Sequence, residues 1–129
     1  MKITTFDPMI TSANAGDIIK LFEELGFVKT HQPTTALETN DVTDTRMKNE
    51  SGFHVDIAQW DGLPQNVTLI RMNVDNFDEA YKILTAHGFK NTRGDDTLDT
   101  KSAKLATMVS PSGFMIPPTV WVVECSQQA

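Results

Sequence analysis

The chain has 129 residues, 40% hydrophobic and 22% charged, which is the balance of one ordinary folded domain and not of a disordered chain. Seventeen acids against eleven Lys and Arg give a net charge of -6, which works against nucleic-acid binding, because phosphate recognition needs clustered cations. The single cysteine, Cys125, excludes an internal disulfide framework and a Cys-rich zinc site. No apolar run reaches the roughly 18 residues of a membrane span, and MKITTFDPMI lacks the apolar core of a signal peptide. A soluble, cytoplasmic domain is expected.

In chain order, the first strand-like run leads to a predicted helix from Asn14. Ile18, Leu21, Phe22 and Leu25 fall at i, i+3, i+4, i+7, so they predict one apolar stripe facing a core. Asn14 suits the N-cap, Asp17 sits three residues on, and Gly26 suits the positive-φ position after the helix. A short strand, Phe27–Thr30, precedes the aperiodic polar stretch His31–Asn49. After a hairpin at Ser51-Gly52, Phe53 to Ala58 alternates: Phe53, Val55 and Ile57 are expected toward the helix, His54, Asp56 and Ala58 away from it. Asp61-Gly62-Leu63-Pro64-Gln65 has turn chemistry.

Val67–Val74 is the clearest strand, with Ile70, Met72 and Val74 on one face and Leu69, Arg71 and Asn73 on the other. The second helix repeats the first: Phe77, Ala80, Tyr81 and Leu84 form the stripe, Asn76 the N-cap, Glu79 the residue three on, Gly88 the C-terminal glycine. A strand at Phe89–Thr92, a charged polar stretch to Lys104 and a hairpin at Ser112-Gly113 follow. Pro117-Pro118 interrupts the expected last strand, since proline lacks the N–H of a ladder; Thr119–Glu124 can resume it.

These landmarks repeat. Asn14 and Asn76, and likewise Gly26 and Gly88, stand 62 apart; Gly52 and Gly113 stand 61 apart. Two independent landmarks at nearly one offset define two modules, 1–60 and 66–125, each β-α-β-β-β within one domain. The expected class is α+β.

Two βαβββ modules, with the stretch Asn73-Val74-Asp75-Asn76-Phe77-Asp78-Glu79-Ala80-Tyr81 at a strand-to-helix entry and Val109-Ser110-Pro111-Ser112-Gly113-Phe114 at a final hairpin, resemble the vicinal oxygen chelate superfamily. This is the glyoxalase, bleomycin-resistance and extradiol-dioxygenase group. The resemblance covers essentially the whole chain and implies a curved mixed sheet around a groove between modules. It also implies a homodimer. In the superfamily's enzymes a divalent metal takes ligands from the first and last strand of each module. Carried over, those positions fall on Phe6 or Asp7, on Asp56, near Leu69 and on Pro117. Only Asp56 clearly keeps a ligand. Catalytic zinc usually has about three protein ligands, so no metal cofactor is expected, although a divalent ion is not foreign to the fold.

Each candidate residue has a functional and a plain reading. His54 and Asp56 share a strand face, where they bind a ligand or act as an acid/base pair, or are solvated polar residues of an antiparallel sheet. Arg71 either grips an anionic group or neutralises Asp56. Asp7, held extended before Pro8, is a ligand residue or a solvated one. Trp60, with Trp121 at offset 61, walls a ligand site or packs a seam. His87, just before Gly88, suits the C-terminal end of its helix, and His31 reads as a loop residue. The expected function is metal-free binding of a small molecule in the groove. The alternative is a divergent lyase or isomerase of the same superfamily, with or without a metal.

Overall fold

The computed structural model describes residues 1–32, 34–36, 41–94, 98–99, 103–111 and 120–126. Their contacts divide them into two units, one built from residues 7–68 and the other from 1–6 with 69–129. The class is α+β with mixed sheets, as the alternation of periods predicts.

The elements of the first unit are β1 (Ile3–Ser12, of which the part from Asp7 belongs here), α1 (Ala15–Glu24), β2 (Val28–His31), β3 (Thr34–Ala36), β4 (Asp41–Lys48) and β5 (His54–Gln59). The strand order is β2-β4-β5-β1, with β3 also on β4. Pairing is antiparallel except for β1 with β5, which the intervening helix makes parallel. The core gathers Ala15, Ile19, Met47, Val55 and Ile57, with Ile10, Ile18, Phe22 and Phe27 packed against it. Phe22 and Phe27 meet edge to face at 5.4 Å, closing α1 onto the start of β2.

The periodicity places the α1 stripe partly wrong. Leu21 and Leu25 are 51% and 61% exposed, and the buried line is Ala15 and Ile19, flanked by Ile18 and Phe22. Small Ala15 lets the first turn sit directly on the sheet, which rolls the helix away from Leu21 and Leu25. The N-cap differs as well. The Asn14 side chain makes no cap bond; Gln59, at the end of β5, accepts the Ala15 N–H at 2.9 Å and donates to the Ala13 carbonyl at 2.7 Å.

In the second unit β6 (Val67–Val74) precedes α2 (Phe77–Ala86), β7 (Lys90–Asn91), β8 (Leu98–Asp99), β9 (Ala103–Val109) and β10 (Val120–Ser126). The order is β6-β10-β9-β7, with β8 also on β9 and β6 parallel to β10. Here the helix stripe is as predicted. Phe77, Ala80 and Leu84, with Tyr81, pack on Met72, Val74, Phe89, Ala106, Met108 and Val123. Asn76 Oδ1 accepts the Glu79 N–H at 3.1 Å, the expected cap. Gly26 and Gly88 take φ of +97° and +87°, which ends each helix. The Ser112-Gly113 hairpin and Pro117-Pro118 lie outside the described residues. No helix among the described residues is long and apolar enough to cross a membrane.

Candidate functional site

Strand register decides which side chains share a surface. In the first unit Arg46 stands opposite Asp56, and Asp56 opposite Met9. Thr45 stands opposite Ile57, and Ile57 opposite Ile10. Cross-strand partners point the same way, and neighbours along a strand point opposite ways. One face therefore carries Thr45, Met47, Val55, Ile57 and Ile10 and meets α1. The other carries Asp44, Arg46, Asp56, Ala58, Met9 and Thr11. Asp7, two residues before Met9, belongs to that second face; Phe6 does not. Of Phe6 and Asp7, it is Asp7 that shares the face of Asp56.

That second face is not wet along β5. Asp56 is 1% exposed and Asp7 3% exposed, with Ala58 and Thr11 buried beside them. A solvated-residue reading fails for both aspartates. A carboxylate taken out of water is costly without a cation or donors at hand. Arg46 is such a cation. Its Nε donates to Asp44 Oδ2 at 3.2 Å and lies 4.0 Å from Asp56 Oδ2. The Arg46 and Asp44 side chains keep 23% and 13% exposure, so solvent reaches this end of the cluster while Asp56 stays behind it.

The second unit has its own guanidinium. Arg71 is 4% exposed; its Nη1 donates to Asn73 Oδ1 at 2.8 Å and lies 3.5 Å from Glu124 Oε2. Register brings these together, because Asn73 pairs with Glu124 across β6 and β10. Arg71 precedes the first residue of α2 by six positions, as Met9 precedes that of α1. The pair Arg71 and Val122 is thus the counterpart of Met9 and Asp56. The repeat offset had placed the counterpart of Asp56 on Pro117. The true offset there is 122 − 56 = 66, because residues are added between β9 and β10. Valine has no donor atom, so the second unit's counterparts of Asp7 and Asp56, which are Leu69 and Val122, are both apolar residues.

The remaining predicted residues are placed apart from the buried cluster. His54 opens β5 on the Asp56 face but is exposed, opposite Lys48. Trp60 lies one residue past β5, half-buried; its backbone N–H donates to the Ser12 carbonyl at 3.0 Å. Trp121 stands opposite Ile70 and Met108 in the backbone register. His31 is exposed at the end of β2, and His87 is the exposed cap residue of α2. Sequence reasoning missed Asp44, Arg46 and Glu124. Two cavities lined by described residues, of about 250 and 300 Å³, lie elsewhere, at the start of α1 and beside Gly88, and neither is lined by Asp56, Arg46 or Arg71.

Among the described residues no three His, Cys, Asp or Glu side chains gather as a ligand set. Asp44 and Asp56 each turn an oxygen toward a guanidinium nitrogen instead. A fixed cation at that point repels a second one.

No protein-family model matches the sequence, and no curated protein matches it. Solved structures do. Glyoxalase I from maize superposes with a TM-score of 0.66 at 13% identity, covering 98% of this chain and 44% of that one. This chain thus spans less than half the length of the maize enzyme. A methylmalonyl-CoA epimerase from Streptomyces coelicolor gives 0.63 at 12% identity, covering 98% and 100% of the two chains. A hypothetical protein from Bacillus halodurans gives 0.65 at 10% identity, covering 97% and 96%. At such identities the likeness speaks for the fold alone, which is the one shared by glyoxalase I and methylmalonyl-CoA epimerase.

Proposed function

We propose that this chain binds a small molecule without a metal ion, on the sheet face that carries Asp44, Arg46 and Asp56. The observation that supports the reading is the Arg46 guanidinium drawn to two carboxylates on that face. Arg46 and Asp44 keep enough exposure to hydrogen-bond a polar ligand group, while Asp56 from behind fixes the guanidinium. An arginine held this way presents its donors in one plane, which suits a directed polar contact. The long-range field of an acidic chain adds a preference for ligands without strong negative charge. The test is native mass spectrometry and metal analysis of protein purified without chelators or added metals. A copurifying organic mass and no stoichiometric metal are expected. A tight divalent ion, lost on Asp56→Ala, would overturn the reading.

A lyase or isomerase is the second reading, and two observations favour it. Asp7 and Asp56 are buried carboxylates on one sheet face, a pairing suited to moving a proton. The full-length structural likeness includes methylmalonyl-CoA epimerases. If this reading is right, exchange of a carbon-bound substrate proton with deuterated water should vanish in Asp56→Asn while the fold is retained.

A further inference from the structure

The first unit's sheet gathers basic residues on the face that carries Asp56. Lys48 on β4 stands directly opposite His54 on β5, and Arg46, two residues along, stands opposite Asp56. The edge strand β2 supplies another. It bulges between Lys29 and His31, and the extra residue brings His31 opposite Arg46. Val28 stands opposite Lys48 on the same face. Two of the chain's three histidines therefore each face a fixed cation. Opposite Cβ atoms are ~4.5–5.5 Å apart and diagonal ones ~7–8 Å, so Arg46, Lys48 and His54 take three corners of one cross-strand quartet.

The acids of this face are Asp44, Asp56 and Asp7, and exposure separates them from the bases. The Asp44 side chain is 13% exposed, and Asp56 and Asp7 are buried. Asp44 and Asp56 also turn an oxygen to Arg46. His31, Lys48 and His54 are exposed, and among the described residues their side chains have no hydrogen-bond or ion-pair partner. A group arriving from solvent meets the bases first. Val28, 64% exposed beside Lys48, gives them an apolar flank.

We infer that Lys48 and His54, with His31 and Arg46 beside them, form a subsite for the carboxylate of a small molecule whose apolar part lies toward Val28. The inference deepens the metal-free binding reading above by naming the ligand's charged group. Like charges directly opposite on a sheet repel. Each imidazole that takes a proton here adds to that repulsion, and a carboxylate between Lys48 and His54 removes it. The chain's net charge of -6 does not decide this contact, since charges beyond ~8 Å are screened at physiological salt. It does favour a single carboxylate over a multiply charged anion.

The experiment titrates the full chain with benzoate, and with neutral benzamide as control, and follows backbone amides and imidazoles by NMR. Benzoate should give saturable shifts centred on His31, Lys48 and His54, and benzamide should give none. Binding should be at least about fivefold tighter near pH 5.5 than near pH 8.5, because histidine gains its charge between them. Lys48→Gln and His54→Gln should each weaken it about fivefold at the lower pH, the worth of one unit charge at contact distance in water. Lys29→Gln, on the same edge strand but opposite Met47 and so on the other face, should stay within about twofold of wild type. Shifts centred elsewhere, benzamide binding as well as benzoate, no saturable binding, or an affinity unchanged in Lys48→Gln would each overturn the inference. All of these leave the metal-free reading standing, since the metal analysis and native mass spectrum decide that separately.

Discussion

Substitution of Gln59 tests the account of how α1 is held in place. The first N–H groups of a helix have no partner inside it, and something must accept from them. The sequence nominates Asn14, but its side chain makes no cap bond. Gln59 instead bridges the strand end and the helix entry: Oε1 accepts from Ala15 at 2.9 Å, and Nε2 donates to Ala13 O and Asp61 Oδ1, both at 2.7 Å. Each such bond contributes ~0.5–1.5 kcal/mol net. The Asp61 bond is exposed and falls at the low end. Gln59→Ala should therefore lose about 2 kcal/mol, and Asn76→Ala, which removes one ordinary side-chain cap, about 1 kcal/mol. Asn14→Ala should stay within about 0.5 kcal/mol of wild type, since its bonds are made by the backbone, the N–H toward Ser12 Oγ and the carbonyl accepting from the Asp17 N–H at 3.3 Å. Equilibrium urea unfolding at constant m-value measures all three. An Asn14→Ala loss as large as that of Asn76→Ala, or a Gln59→Ala variant as stable as wild type, would refute the assignment.

Two further pairs of variants test packing by thermal or urea unfolding. Gly26→Ala and Gly88→Ala both force an L side chain to positive φ, at ~1–2 kcal/mol each. Gly88→Ala should be the worse, because its new Cβ lands 3.3 Å from Pro111 Cγ while that of Gly26 meets nothing within 4 Å; equal losses would refute this. Met47→Ala, at a side chain with 0% exposure, should cost ~2–5 kcal/mol. Phe53→Ala, 67% exposed, should change stability by less than about 0.5 kcal/mol, even though alternation assigns Phe53 to the core.

The sequence reveals the second unit's β6 and α2 in full because both are amphipathic with apolar residues at every inward position. It reveals less of the first unit, for a physical reason visible in β4. The inward residues there are Thr43, Thr45 and Met47, and Thr45 is 2% exposed with its hydroxyl accepting from Gln32 Nε2 at 2.8 Å. Polar residues on both faces erase the two-residue period, so Asp41–Lys48 reads as part of a polar loop. Asp44 and Arg46 are lost with it. The signal that remains is an aspartate and an arginine two apart, which is common on surfaces. Asp56 is legible in the sequence but its burial is not: alternation allows one wet face, whereas Val55, Asp56, Ile57 and Ala58 are all buried. Glu124 was missed because a repeat offset cannot count residues added between β9 and β10.

The two units share a scheme and differ in where its charges sit. In each, the face away from the helix carries a guanidinium near a carboxylate of a neighbouring strand, set by cross-strand register. The first unit places its arginine on β4 and its buried aspartates on β1 and β5, the first and last strands. The second places its arginine on the first strand, β6, where Met9 is the counterpart, and its glutamate on β10, where Ala58 is the counterpart. A repeat that kept ligands by inheritance would show matching residues at matching positions. Here the backbone matches and the charges do not, so each unit has answered the cost of burying a carboxylate by its own substitution.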